Sequence, residues 1–99
     1  MAKQITSKEF QAEVIESKEP VFVDFYADWC GPCKMLGPIM EDISKTHKVV
    51  KVNVDEEGEL AGMFGIMSIP CVILFKGGKE AGRNIGLVPK AEILKLLGE

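Results

Sequence analysis

The chain has 99 residues, room for one domain spanning 1–99 and not for two. With 46% hydrophobic and 27% charged residues it carries enough apolar material for a packed core, which argues against wholesale disorder. Twelve basic against 15 acidic residues give a net charge of −3 with no run of Lys or Arg, so neither a nucleic-acid partner nor an anionic-membrane partner is expected.

Apolar runs such as Val72-Ile73-Leu74-Phe75 are far too short to span a bilayer. The amino end, Met1-Ala2-Lys3-Gln4, has no apolar stretch of signal-peptide type, so a cytoplasmic location is expected. No coiled-coil or edge-pairing signal stands out, and the expected state is a monomer.

Strand and helix signals alternate along the chain. Lys3 to Ile5 reads as a short strand. Thr6 and Glu9 then have capping-box spacing, and Ile5 and Phe10 the spacing of a hydrophobic staple. That predicts a first helix to about Ser17 with Phe10, Val14 and Ile15 on one face. Pro20 opens Val21-Phe22-Val23-Asp24-Phe25-Tyr26, which reads as a strand buried on both faces. A helical pattern follows from the Cys30 region to roughly His47, with a bend expected at Pro38. Val49 to Val54 is a third strand, with Val50, Val52 and Val54 facing one way. Glu56 to Phe64 is a shorter helix ended by Gly65. Cys71 to Lys76 and Lys79 to Ile85 form a hairpin around Gly77-Gly78, a two-residue turn that favours glycine. Pro89 starts a last helix whose apolar face is Ile93, Leu94, Leu96 and Leu97. The order βαβαβαββα predicts an α/β sandwich, with parallel crossovers first and an antiparallel hairpin last.

Three cysteines are an odd number, which argues against a disulfide-stapled secreted scaffold. Two of them form Cys30-Gly31-Pro32-Cys33. In a reducing compartment that spacing means redox chemistry or half of a metal site. The first N–H groups of a helix lack intrahelical partners and carry the positive end of its dipole. A thiol at Cys30 is therefore stabilised as the nucleophilic thiolate. Pro32 suits a first helical turn because it has no N–H to leave unpaired. Cys33, three residues on, is close enough to attack a mixed disulfide formed at Cys30 and resolve it.

The segment Val23-Asp24-Phe25-Tyr26-Ala27-Asp28-Trp29-Cys30-Gly31-Pro32-Cys33-Lys34 resembles the thioredoxin family. The resemblance extends to Lys51-Val52-Asn53-Val54-Asp55, Gly65-Ile66-Met67-Ser68-Ile69-Pro70, Leu74-Phe75-Lys76-Gly77-Gly78 and Gly86 before the last helix, nearly the whole chain. It implies a three-layer sandwich with a central five-stranded mixed sheet flanked by four helices. It also implies protein-disulfide reduction, with Cys30 as the exposed attacking cysteine and Cys33 as the buried resolving one. The implied partners are disulfide-bearing client proteins and a thioredoxin reductase as electron donor, with no cofactor held by the chain. Gly31-Pro32 between the cysteines is similar to the reducing members rather than to oxidants or isomerases.

Asp24 has two readings. A carboxylate among Val23, Phe25 and Tyr26 is expensive to bury, so its pKa is expected to rise. Lying behind Cys33, it would accept that thiol's proton; otherwise it is a hydrogen-bonded structural acid. The resemblance makes Asp24 the family's buried acid and Lys51 the lysine near it. It makes Pro70 the cis proline facing the disulfide, leaving backbone free to pair with an extended client segment. Trp29, Gly31, Pro32, Ile69, Pro70 and Gly86 would form a flat apolar rim.

Cys71 departs from the family, which usually has threonine after this proline. Its simplest reading is a small buried side chain; the sharper one is a modulator able to pair with Cys30. Tyr26 stands where tryptophan is common and Pro89 where a capping serine is common, and neither is expected to alter the chemistry. Three cysteines and His47 make a nominal zinc set, but fourteen residues of helix put Cys33 and His47 roughly 20 Å apart. No metal is expected. The competing readings are a metal or iron–sulfur site completed by an outside ligand or a second chain, and a binding module with incidental cysteines. Met35, Met40 and Met63 read as core residues, and Met67 as a residue of the partner-facing rim.

Overall fold

The computed structural model describes residues 2–98. Its strands are β1 (Lys3–Gln4), β2 (Val21–Tyr26), β3 (Lys48–Asn53), β4 (Cys71–Lys76) and β5 (Lys79–Ile85). Its helices are α1 (Ser7–Phe10), α2 (Gly31–Ile43), α3 (Gly58–Met63) and α4 (Lys90–Leu94). The strands form one mixed sheet in the order β1-β3-β2-β4-β5. β1 and β2 both run parallel to β3, while β4 is antiparallel to β2 and β5 to β4.

β2 lies at the centre because its residues bury on both faces, as a run that is apolar apart from Asp24 requires. Alternation then sorts the core into two layers. Val21, Val23 and Phe25 pack with Phe10 and Val14 of the first helical segment and with Leu60 of α3. Phe22 packs on the opposite face with Leu36, Met40 and Ile43 of α2 and Ile93 of α4. The three-layer arrangement implied by the resemblance is the one observed.

Local chemistry sets the element ends. The Glu9 carboxylate accepts from the Thr6 N–H at 3.0 Å, and Ile5 and Phe10 are both buried, as a capped and stapled helix start demands. The expected helix to Ser17 is instead α1 followed by a π-helical turn, Gln11–Ile15, closed by the Glu16 N–H on the Gln11 carbonyl at 2.9 Å. α2 runs unbroken through Pro38 but stops at Ile43, four residues short of expectation. There Ser44 and Thr46 turn their hydroxyls onto the carbonyls of Glu41 and Ile43 at 2.6 and 3.3 Å, competing with helix continuation.

Met40 is fully buried, but Met35 and Met63 are 65% and 76% exposed, which corrects their reading as core residues. The buried stripe of α2 is Cys33, Leu36, Met40 and Ile43, and Met35 projects roughly a third of a turn away from it. Met63 likewise falls off the arc through Leu60 and Ala61 that α3 buries.

The β4–β5 turn has φ of +58° at Gly77 and +80° at Gly78, the pattern of a hairpin whose twist matches its strands. A Cβ on Gly78 would stand 2.8 Å from the Ile15 carbonyl oxygen, whereas one on Gly77 would meet nothing within 4 Å. Gly77→Ala is expected to cost about 1 kcal/mol from its backbone conformation alone. Gly78→Ala is expected to cost about 3 kcal/mol, because the collision adds to the same penalty. Urea unfolding of both variants checks this; equal losses would refute the close-approach argument.

Candidate active site

β2 ends at Tyr26, and the chain turns through Ala27-Asp28-Trp29 before Cys30 takes the N-cap position of α2. Pro32 sits within the first turn, where its missing N–H costs nothing. Cys30 and Cys33 are joined as a disulfide with Cα atoms 5.2 Å apart. The Cys33 N–H donates to Cys30 Sγ at 3.2 Å. The same donor and the positive end of a 13-residue helix favour negative charge on that sulfur once the disulfide opens.

Cys30 is 4% exposed and Cys33 6%, so the expected contrast between an open and a covered sulfur is absent in the disulfide state. Both pack with Ala27, beside Tyr26, Val54 and Ile69. Cys30 Sγ lies 3.8 Å from the Ile69 carbonyl oxygen, on the loop before β4. The Ile69–Pro70 peptide bond is cis.

The rim residues gather around this disulfide in two layers rather than one flat surface. Trp29, Gly31 and Pro32 are exposed, Ile69 and Gly86 are half-buried, and Pro70 is buried beneath them. The Gly86 N–H donates to the Pro70 carbonyl at 2.7 Å, tying the end of the hairpin to the loop. Gly86 has φ of +92°, a conformation that favours glycine.

Sequence reasoning missed what holds Trp29. Its indole N–H donates to Asp55 at 2.8 Å, and the Asp55 N–H donates to the side-chain oxygen of buried Asn53 at 2.9 Å. An amide side chain closing a strand, two residues before an aspartate, was the available signal. Met67, fully open at 95% exposure, does lie on the outer surface beside Ile69. Ile85 and Leu87, on either side of Gly86, are also exposed and extend the apolar surface.

Asp24 and Lys51 are register partners on β2 and β3. By strand alternation both lie on the face that packs against α2. Asp24 is 1% exposed, and its Oδ1 finds no hydrogen-bond partner. Burial pushes its carboxyl up to about 6, with the nearby Lys51 ammonium pulling the other way. A cleft of about 430 Å³ opens here, lined by Tyr26, Asp28, Cys33, Lys34 and Lys51 among others. The structure thus brings the second sulfur and the lysine opposite the buried acid to one solvent-connected space.

Cys71 opens β4 and pairs with Phe25 on one side and Ile85 on the other. It is 1% exposed and packs on the α1 and α3 face, the sheet face opposite Asp24. Burial raises its thiol pKa, partly offset by Arg83. His47 follows α2 at the far end from the disulfide, with its ring 6.0 Å from Phe22. Among the described residues no three His, Cys, Asp or Glu side chains gather as a metal site would require.

Comparison with known proteins agrees with this geometry. The family model described as Thioredoxin matches residues 1–99. Thioredoxin 1 of Nostoc sp. is 44% identical over 100 residues, covering 97% of this chain and 94% of the relative. The thioredoxin of Rickettsia felis is 48% identical over 98 residues, covering 95% and 93%. That of Mycoplasmoides gallisepticum is 46% identical over 98 residues, covering 96% and 98%. With a family match over its full length, and with a disulfide at the start of α2 beside a cis proline, this chain belongs to the thioredoxin family.

Proposed function

We propose that the chain is a protein-disulfide reductase, a thiol–disulfide oxidoreductase that carries electrons by reversible dithiol/disulfide exchange at Cys30 and Cys33. The observation that carries this reading is the Cys30–Cys33 disulfide at the N-terminus of α2, with the Cys33 N–H on the Cys30 sulfur. The enzyme class follows from membership of the family.

In the reduced protein, the Cys30 thiolate attacks one sulfur of a client disulfide, and the other client sulfur leaves as a thiolate. The product is a Cys30–client mixed disulfide. Cys33 gives its proton to the Asp24 carboxylate, and its thiolate attacks Cys30 Sγ. The second client thiolate leaves, the Cys30–Cys33 disulfide forms, and two electrons have passed to the client. Asp24 suits its part because burial lets it hold a proton near neutral pH. Lys51 gives the cleft a positive charge opposite the carboxylate. Ile69 and Pro70 offer backbone to an extended client segment, and Trp29, Gly31, Pro32 and Gly86 supply apolar and close-approach surface around the sulfurs.

Two electrons must then return from a reductase of the thioredoxin reductase class, and we assign this electron-transport cycle to the cytoplasm on the absence of a signal-peptide-like stretch in Met1-Ala2-Lys3-Gln4. The chain works as a monomeric single domain. Cys71 serves packing, since its sulfur lies in the core on the far face of the sheet from Asp24.

Insulin reduction with dithiothreitol as terminal donor tests the assignment. Wild type is expected to accelerate precipitation strongly, and Cys30→Ser to abolish the acceleration. No acceleration by wild type would reject the reductase reading. Mass mapping after mild oxidation is expected to find the Cys30–Cys33 bridge with Cys71 still a thiol; a bridge from Cys71 to Cys30 would restore the modulator reading.

Asp24 also predicts a pH dependence. Its folded pKa of about 6 lies above the ordinary 3.8, so the folded state binds more protons between those values. Stability is therefore lost as pH rises through about 6, by about 3 kcal/mol once the carboxylate is fully ionised. The stability of Asp24→Asn minus that of wild type, both oxidised, should grow by about 2.5 kcal/mol between pH 4 and pH 8, most of it below pH 6. A difference that stays flat across this range would show that Asp24 is not a strained buried acid.

A further inference from the structure

Lys51 is held by a ring rather than by the acid opposite it. Its Nζ lies 4.4 Å from the centroid of the Tyr26 ring. No carboxylate oxygen among the described residues lies within the 4.0 Å ion-pair distance of that ammonium. The register explains the choice. Asp24 pairs with Lys51, and Tyr26 pairs with Asn53, two residues further along both strands on the same face. The lysine stem runs diagonally from the Asp24 row to the Tyr26 row, and its head rests over the half-buried ring at the cleft.

The remaining charged groups do not supply the restraint. Asp28 and Lys34 line the same cleft, and Glu56 lies close enough to Tyr26 to feel its charge, yet none pairs with Lys51. β4 presents uncharged Val72 opposite Asp24, and β1 presents neutral Gln4 opposite Lys51. Cys33 shares the cleft, and Cys71 lies on the other face. The alternative seat for the ammonium is the carboxylate of its register partner Asp24, which feels the Lys51 charge and whose Oδ1 has no partner.

We propose that Tyr26 is a positioning residue for Lys51: its ring and the Asp24 carboxylate compete for one ammonium, and the ring thereby sets how readily Asp24 holds its proton. While Asp24 is neutral, Lys51 rests on the ring through attraction to its negative face. When Asp24 ionises, the ammonium leaves the ring for the carboxylate. Each proton lost from Asp24 is thus opposed by the loss of the cation–ring contact. On this proposal it is the aromatic ring at position 26 that tunes the chemistry, a feature tyrosine shares with the tryptophan common there. This rests on the reading of Asp24 as the proton acceptor for Cys33.

The test is a carboxyl-carbon NMR titration of Asp24 in the oxidised protein, which needs no turnover. Tyr26→Leu is expected to lower the midpoint by about half a pH unit, the size of an exposed-to-intermediate cation–π contact. Tyr26→Phe, which keeps the ring, is expected to leave it in place. In a Lys51→Met background Tyr26→Leu is expected to have no effect, which separates the lysine from simple hydration of the cleft. Replacing Tyr26 with pentafluorophenylalanine keeps the ring's shape and reverses its quadrupole, so it should also lower the midpoint even if Tyr26→Leu packs poorly. A midpoint that does not fall in Tyr26→Leu, or falls equally without Lys51, overturns the proposal. Failure of the Asp24 role itself would show separately, as an Asp24→Asn variant whose rate of insulin reduction keeps the wild-type pH profile.

Discussion

Strand β2 is hydrogen-bonded along both edges, parallel to β3 and antiparallel to β4, and both of its faces are covered. A strand so enclosed has no freedom to slip, because a one-residue shift would turn Phe22 and Phe25 to the wrong layers. Two chemical groups inherit that rigidity. Asp24 is fixed at the strand's middle, facing α2, and Cys30 is fixed four residues beyond its end, at the cap of that helix. The disulfide is therefore placed by the most constrained segment of the fold, although the residues that carry it lie in a turn.

Burying Asp24 works against stability, and the structure does little to relieve it. The usual remedy for a buried carboxylate is an ion pair or several donors. Here Oδ1 has no partner and the nearest ammonium rests on Tyr26. An apolar residue of similar size would be cheaper at this position. A destabilising group beside a redox pair is what a proton acceptor near neutral pH requires, since full solvation or a tight ion pair would leave it ionised. The conflict between fold and function is confined to one side chain, and the sheet tolerates it because the other buried residues of β2 pack into apolar clusters on both faces.

Much of this was legible in the sequence, for local reasons. The apolar run of β2, the Thr6–Glu9 spacing, the paired glycines of the hairpin and the Cys-x-x-Cys at a strand-to-helix turn each depend on neighbours a few residues away. What escaped depends on contacts between distant segments. The hold of Asp55 on Trp29 spans 26 residues, and the seat of Lys51 on Tyr26 spans two strands. The exposure of Met35 and Met63 depends on where each helix meets the sheet, which periodicity alone does not fix. The near-complete burial of Cys30 follows from the disulfide itself and from the Ile69 carbonyl, a partner brought in by the loop before β4.

That loop is steadied from the hairpin side. The β4–β5 ladder is regular from Cys71–Ile85 to Leu74–Gly82, and its irregularity falls beyond, between Leu74 and Phe75. A bulge nearer the Cys71 end would have turned Ile85 and displaced Gly86 from the Pro70 carbonyl. With the irregularity placed toward the turn, the active-site end of the hairpin keeps its register. Cys71 then points into the core by simple alternation, and the Gly86 N–H meets Pro70 at 2.7 Å. A third thiol one residue from the active loop is thus kept from the disulfide by strand parity. Ile69 stays beside Cys30 for the same reason, since the loop that carries it is anchored where β4 begins.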